Sequence, residues 1–165
     1  MRYIVVILVM LMFVNVLGCK NPEAVPPDDA IEAENEAAET EKGMWLTDYD
    51  KAMAEAQKRD LPVLINFSGS DWCIWCIKLM DEVFDKEEFK AYAKDNLVLL
   101  NLDFPRKSTQ SEEVQKANQA LAERFEIEGF PTVILLNSKG EIIGQTGYRE
   151  GGPKPYIEHL KQMVK

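Results

Sequence analysis

An apolar run, a sharp polar turn and a second apolar pattern of helical period dominate the middle of the chain. Residues 63–67 are apolar apart from Asn66 and include β-branched side chains, which predicts a buried strand. The run ends at the Ser-Gly-Ser-Asp turn of residues 68–71, and a helix is predicted over 73–84. The apolar positions of that helix are Ile77, Leu79, Met80 and Val83. Two cysteines therefore stand where a strand passes through a short turn into a helix.

Helical and extended segments alternate along the rest of the chain. Further helices are predicted over residues 48–59, 86–94, 109–124 and 154–164, and further strands over 97–103, 132–136 and 141–145. Thr47 and Asp85 are predicted helix caps, and Thr109 with Glu112 forms a predicted capping box. Because a helix separates the first two long strands, we expect them to be parallel, whereas the turn at residues 137–140 predicts a hairpin. This order predicts an α/β fold with a mixed sheet covered by helices on both faces.

The N-terminal 18 residues have the pattern of an export signal. Arg2 precedes an apolar run over residues 3–14, which is shorter than the roughly 20 residues that a membrane-spanning helix needs. The run closes on Val-Leu-Gly-Cys at residues 16–19, which resembles a bacterial lipoprotein signal. The resemblance implies that Cys19 becomes lipid-modified and then forms the mature N-terminus. An uncleaved membrane anchor, with Cys19 incidental, is the alternative.

Residues 19–43 form an acidic segment rich in Ala, Glu and Pro, with almost no large apolar side chains. Such a composition cannot bury enough surface to offset the entropy of ordering, so we expect a flexible tether. The chain has a net charge of −9; residues 1–43 hold eight acids and three bases and account for −5, which leaves −4 for residues 44–165. Because that acidic domain has no basic cluster, nucleic-acid binding is not expected.

The cysteine pattern indicates redox chemistry. The chain has three cysteines, an odd number for an exported protein, and setting Cys19 aside for lipid leaves Cys73 and Cys76 as a pair. Unpaired amides at a helix N-terminus stabilise a thiolate, so Cys73 is the candidate nucleophile and Cys76, one turn along, the resolving thiol. A structural staple closing so short a loop would contribute little stability, and two cysteines make only half of a tetrahedral zinc site.

The Cys73-x-x-Cys76 pair, together with Gly-Phe-Pro-Thr at residues 129–132, resembles the thioredoxin superfamily. The likeness covers residues 44–165, and the Trp72-Cys-Ile-Trp75-Cys centre is similar to that of exported thioredoxin-like proteins. It implies a three-layer sandwich in which Pro131 is a cis proline facing the sulfurs. It also implies that the Phe130 backbone and Thr132 lie at the position that binds an extended substrate segment.

Three aromatic residues and one amide modify this expectation. Trp72, Trp75 and Phe130 are predicted to form an apolar collar around Cys73, with Trp75 exposed and Trp72 either exposed or partly buried. Thioredoxins usually place a buried aspartate beneath the second cysteine as proton acceptor, and the matching residue here is Asn66. An amide cannot take up a proton as a carboxylate does, so Asp71, Glu82 or a water molecule would have to substitute.

Together these features predict a lipid-anchored, periplasm-facing thiol–disulfide oxidoreductase. Its direction is left open, with reduction favoured, and no separate cofactor or metal is expected because the Cys73–Cys76 couple carries the electrons. The expected partners are thiols and disulfides of cell-envelope proteins, a possible membrane electron donor, and the membrane itself through Cys19; the protein is expected to be a monomer. The alternative is a non-catalytic binding module, or a Cu(I)-binding protein with the two cysteines as soft ligands.

Overall fold

The computed structural model describes residues 44–164, which form one five-stranded sheet flanked by helices. The strands are β1 (Trp45–Leu46), β2 (Val63–Ser68), β3 (Val98–Asp103), β4 (Thr132–Leu136) and β5 (Ile142–Thr146). The helices are α1 (Tyr49–Arg59), α2 (Ile74–Leu79), α3 (Glu87–Asn96), α4 (Glu112–Arg124) and α5 (Pro153–Met163), and a π-helical segment (Met80–Phe84) continues α2. Within the described range, no helix is both long and apolar enough to span a bilayer.

The sheet is mixed, as predicted. Its strand order is β1-β3-β2-β4-β5, with β1, β3 and β2 parallel and with β4 and β5 antiparallel to their neighbours. The two-residue strand β1 was not predicted, because two residues are too few for a period-2 pattern to show. The mixed sheet and its flanking helices confirm the predicted α/β sandwich.

Two apolar cores lie on opposite faces of the sheet. Alternate residues of β2 point to opposite sides: Val63, Ile65 and Phe67 pack with α1 and α4, whereas Leu64 packs with α2, the π segment, α3 and α5. All four of these β2 side chains are fully buried. At roughly 1.5–3 kcal/mol for each such side chain, burial on both faces of the central strand holds the three layers together. Asn66, two residues after Leu64, therefore points towards the α2 side.

Strand register places the polar turn after β2 between two other chain segments. Ser68 is opposite Asp103 at the end of β3, and Phe67 is opposite Thr132 at the start of β4. The loop that follows β3 and the loop that precedes β4 therefore flank the turn that leads into α2. This arrangement creates the candidate site.

Three predicted helix caps were wrong by one or two residues, and for α1 and α4 the reason is that a nearer polar side chain caps the helix. Asp48, not Thr47, caps α1 by accepting a hydrogen bond from the Lys51 N–H at 2.9 Å. Ser111, not Thr109, caps α4 by accepting from the Val114 N–H at 3.4 Å. Asp85 closes the π segment instead of opening α3, which begins after Lys86 without a side-chain cap.

The predicted helix over residues 73–84 is divided. Cys73 is its N-cap, residues 74–79 are α-helical and residues 80–84 are π-helical. Ile77, one of the apolar positions of the predicted helix, is 41% exposed, and Cys76 and Leu79 are the buried positions of α2. The apolar side chains at residues 74, 75 and 77 consequently remain at the surface beside the cysteines.

Candidate active site

Cys73 and Cys76 form a disulfide at the start of α2, with their Cα atoms 5.2 Å apart. The Cys73 Sγ atom caps the helix by accepting a hydrogen bond from the Cys76 N–H at 3.2 Å. The Cys76 Sγ atom accepts from the Gly69 N–H at 3.5 Å. Both residues are buried, Cys73 at 6% exposure and Cys76 at 3%.

Once the disulfide is reduced, the backbone around it would favour a thiolate over a thiol on Cys73. An ionised acceptor strengthens a hydrogen bond, so the Cys76 N–H stabilises a negative sulfur more than a neutral one. The partial positive charge at the start of the helix acts in the same direction. Since the thiolate is the nucleophile in disulfide exchange, this geometry suits Cys73 for attack on another disulfide.

Two carboxylates fix the turn that carries Cys73 to the end of β3 and the loop after it. Asp103 accepts hydrogen bonds from the Ser70 N–H at 2.8 Å and from the Ser70 hydroxyl at 2.6 Å. Asp71 accepts from the backbone N–H groups of residues 106, 107 and 108 at 2.9, 2.7 and 3.0 Å. The turn and the segment after β3 therefore each supply one carboxylate that accepts hydrogen bonds from the other.

The bonds to Asp71 also change its acidity. The hydrogen bond from the Arg106 N–H, followed by those from Lys107 and Ser108, lowers the pKa of the Asp71 carboxyl below its ordinary 3.8. Asp71 is thus an ionised anchor for the loop after β3. The sequence made Asp71 one candidate for the proton acceptor of Cys76. In the structure its carboxylate oxygens accept hydrogen bonds from the backbone of that loop.

Replacing Asp71 with asparagine is expected to destabilise the protein at neutral pH, because a neutral amide oxygen accepts these bonds more weakly than a carboxylate. Since the folded-state pKa is lowered, the carboxylate's contribution is complete above pH 3.8 and is lost as the pH falls through the lowered value. Urea unfolding over a pH series should therefore show the gap between wild type and Asp71→Asn closing in acid. Asp95→Asn, at an exposed site on α3 without these bonds, is the matched control. A gap that stays constant below pH 3.8 would contradict this account.

Trp72 lies half-buried across the same loop. Its indole Nε1–H donates to the Phe104 carbonyl at 2.8 Å, and its ring meets the Phe130 ring edge to face at 5.8 Å between centroids. A side chain at Gly69 would place its Cβ 2.5 Å from the Trp72 ring, so the glycine is required by close approach. Trp72 therefore joins the turn, the loop after β3 and the loop before β4.

The loop before β4 has the cis proline that the resemblance implies. The Phe130–Pro131 peptide bond is cis, and both residues are half-buried. The Thr132 hydroxyl donates to the Gly129 carbonyl at 2.7 Å, which closes the loop. A Cβ at Gly147 would lie 2.9 Å from the Pro131 carbonyl, so the chain after β5 runs tightly against this loop.

Trp75 is exposed over 49% of its surface and belongs to an apolar patch at the start of α2. Its ring lies 5.3 Å from that of Tyr148, between centroids. The Tyr148 hydroxyl donates to Glu82 in the π segment. This bond holds the phenolic proton and raises the pKa of Tyr148 to about 12. Glu82, also considered as a proton acceptor for Cys76, is thus paired with Tyr148.

Sequence reasoning missed the roles of Glu82 and Tyr148, which lie 66 positions apart. Tyr148 directly follows Gly147, but nothing in the sequence connects it to Trp75. In the fold, Glu82 belongs to the π segment and Tyr148 follows the glycine that passes close to Pro131.

Asn66 is 2% exposed on the face of β2 that points towards α2. Its Nδ2 donates to the Asn101 Oδ1 at 2.8 Å, while its own Oδ1 has no protein partner. This side chain has no titratable proton at neutral pH, unlike the carboxylate usual in thioredoxins. Among residues 44–164, no group of three or more His, Cys, Asp or Glu side chains is placed to hold a metal ion. Cys19 lies outside the described residues.

Comparisons with known proteins agree with this fold and site. The thioredoxin-like domain family matches residues 49–163 of the chain. The chain is 33% identical over 117 residues to the disulfide bond reductase DsbH of Chlamydia pneumoniae, covering 71% of this chain and 70% of that protein. It is 32% identical over 104 residues to the thioredoxin-related protein DsbJ of the same organism, covering 63% of this chain but 30% of that protein.

Solved structures show the same relationship. A DsbH oxidoreductase structure superposes with a TM-score of 0.69 at 32% identity, covering 73% of this chain and 83% of that one. A thioredoxin from Thermus thermophilus, at 20% identity, matches with a TM-score of 0.54 over 73% of this chain and 85% of that one, which supports the fold alone.

The sheet order, the cis-proline loop and the paired cysteines define a thioredoxin-fold protein with a dithiol–disulfide centre. The resemblance drawn from the sequence is confirmed. The chain belongs to the thioredoxin-like family, and it is a thiol–disulfide oxidoreductase.

Proposed function

We propose that the protein reduces disulfides in proteins of the cell envelope, with Cys73 as the nucleophile and Cys76 as the resolving thiol. The observation that carries the proposal is the Cys73–Cys76 pair at the start of α2, capped by backbone N–H groups and flanked by the loop of Pro131. The similarity to a protein named as a disulfide bond reductase supports reduction as the direction.

The reaction begins from the dithiol form. The Cys73 thiolate attacks one sulfur of the target disulfide and forms a mixed disulfide, and the other target sulfur leaves as a thiolate that takes up a proton. The Cys76 thiolate, after losing its proton to solvent, then attacks the Cys73 sulfur and releases the second target thiol. Two electrons have passed to the target, and the Cys73–Cys76 disulfide remains. A dithiol donor at the membrane, which is the proposed electron partner, must reduce this disulfide for the next turnover.

Target binding is assigned to the surface around Cys73. Trp72, Trp75, Phe130, Pro131 and Thr132 are the proposed contacts. The exposed apolar area of Ile74, Trp75 and Ile77 suits an unfolded or flexible polypeptide. The Phe130 backbone next to the cis bond is the proposed partner for the backbone of an extended target segment.

The cellular setting belongs to the same proposal. Lipid on Cys19 would attach the protein to a membrane facing the periplasm, and residues 19–43 would act as the tether; both lie outside the described residues. We propose that the protein works as a monomer without a separate cofactor or metal, and without nucleic acid.

Two measurements on the purified protein test this function. We expect it to catalyse reduction of insulin disulfides by a small dithiol, in the presence of chelators. We expect the reduction potential of the Cys73–Cys76 couple to lie near that of thioredoxin, about −270 mV, and not near that of a strong oxidant, about −120 mV. An oxidising potential would reverse the proposed direction. Inactivity in both directions combined with tight Cu(I) binding would replace the enzyme by a copper-binding module.

A further inference from the structure

Two cations lie over the two tryptophans that flank Cys73 in the chain. The Arg106 guanidinium carbon is 3.6 Å from the centroid of the Trp72 ring. The Lys78 Nζ atom is 5.1 Å from the centroid of the Trp75 ring and 5.9 Å from that of Tyr148. All three distances are within the range of cation–π attraction, so the rings favour these positions of the two charges. One positive charge is thereby held at each tryptophan of the collar.

Neither cation has a carboxylate oxygen of the described domain within 4.0 Å. Among residues 44–164, the ion pairs within 4.0 Å involve other lysines and arginines. The nearby acids already have hydrogen-bond donors: Asp71 has three backbone amides, Asp103 has Ser70, and Glu82 has Tyr148. Hydrogen bonds from neutral groups leave the charge on these carboxylates, so the rim presents both signs, in a domain (residues 44–165) with a net charge of −4. Arg106 and Lys78 are the cations that the two tryptophans hold there, outside any ion pair within 4.0 Å in the described domain.

The stacked geometry leaves these cations able to bind an anion. A guanidinium whose face covers an indole still directs its N–H groups outward in its own plane, where a carboxylate can accept two of them. Arg106 is exposed and Lys78 is half-buried, so both can be reached from solvent. Each cation lies over one of the two tryptophans that are proposed as target contacts.

We propose that the site prefers target disulfides whose cysteines are flanked by Asp or Glu, with Arg106 and Lys78 as the specificity-determining residues. This inference rests on the proposed function and names its substrate class. The net negative charge of the domain disfavours acidic proteins in general. Two local cations would therefore favour those acidic targets that approach with the cysteine directed at Cys73.

The test uses three peptides of the same length, each closed by one disulfide and differing only in the residues beside the cysteines: Asp, Asn or Lys. The reduced full-length protein is given each peptide, and kcat/KM is measured at low and high salt. We expect the Asp peptide to be preferred over the Asn peptide by about two- to fivefold for each cation, and the Lys peptide to be the poorest. The preference should weaken at 1 M salt, where charges are screened over about 3 Å.

Charge-removing variants assign the preference to these residues. Arg106→Gln keeps the backbone N–H that Asp71 accepts, and Lys78→Gln leaves a neutral polar side chain that is one atom shorter. Each should reduce the Asp-to-Asn ratio, and the double variant should bring it close to one. Lys139→Gln, in the hairpin at the opposite end of β4, removes one charge and should leave the ratio unchanged. Equal rates for the three peptides, or an unchanged ratio in the double variant, would overturn the inference. Failure to reduce even the Asn peptide would overturn the proposed function, and the inference with it.

Discussion

Replacement of Cys73 by serine is expected to abolish disulfide reduction, lowering the rate by a factor on the order of 10³ or more. A serine hydroxyl has no accessible anionic form at neutral pH and cannot form a disulfide with the target. The effect should be large because no other cysteine of the described domain can take over: Cys76 is 3% exposed and accepts the Gly69 N–H. Insulin reduction measured with and without the substitution tests this directly.

The same substitution at Cys76 should have a different result, which makes it the matched control. Cys76→Ser retains the attacking sulfur but cannot resolve the mixed disulfide, so turnover stops while a covalent adduct of protein and target accumulates. Mass spectrometry under non-reducing conditions would detect that adduct, and Cys73→Ser should not form it. If Cys73→Ser instead trapped target through Cys76, the assignment of the two roles would be reversed.

Replacement of Phe84 by alanine is expected to destabilise the fold by about 3–5 kcal/mol. Phe84 is 1% exposed, and its ring lies 5.1 Å from that of Trp45 and 4.8 Å from that of Phe89, between centroids. It also meets Tyr156 edge to face at 5.7 Å. One ring thus joins β1, the π segment, α3 and α5. A loss of this size is a large part of the 5–15 kcal/mol that typically stabilises a domain.

Urea unfolding followed by far-ultraviolet circular dichroism would measure the loss. Phe84→Leu should cost less than Phe84→Ala, because it keeps most of the buried apolar volume. Ile142→Ala, at a residue 57% exposed on β5, should change the free energy of unfolding by less than about 0.5 kcal/mol. A small effect at Phe84 would mean that the core between the sheet and α5 can close over the cavity.

The features that the sequence predicts well are those encoded by neighbouring residues. Strand β2 and the helix after it follow from a local apolar pattern, and Cys73 and Cys76 are only three positions apart. The pair Phe130 and Pro131 could be placed opposite the cysteines only through the family resemblance, since no local pattern relates the two segments. The parallel pairing of β2 with β3 followed from the helix between them.

Contacts between distant segments were not predictable in this way. The Asp71 carboxylate accepts hydrogen bonds from backbone groups 35 to 37 positions away. From the sequence, any of several acidic residues could have been the acceptor for these groups. Arg106 stacks on Trp72 because the loop after β3 returns over the turn, which depends on the same carboxylate. The helix caps were predicted wrongly for a different reason. Thr47 and Asp48 are adjacent and both are good capping residues, so the sequence does not show at which of them the helix begins.

The π segment has a consequence for how related chains are aligned and altered. Its defining bond runs from the Asp85 N–H to the Met80 carbonyl at 2.9 Å, one residue wider than an α-helical turn. A deletion between Leu79 and Asp85 would let the helix become regular, but each α-helical residue advances by about 100°. Because Val83 and Phe84 are buried in the core, the part of the helix before the deletion would have to turn instead. Cys76 would then rotate away from its position beside Gly69, while the sheet stayed intact. Homologues that lack this residue should therefore align with a single gap there. In those proteins, other contacts must orient the helix that carries the two cysteines.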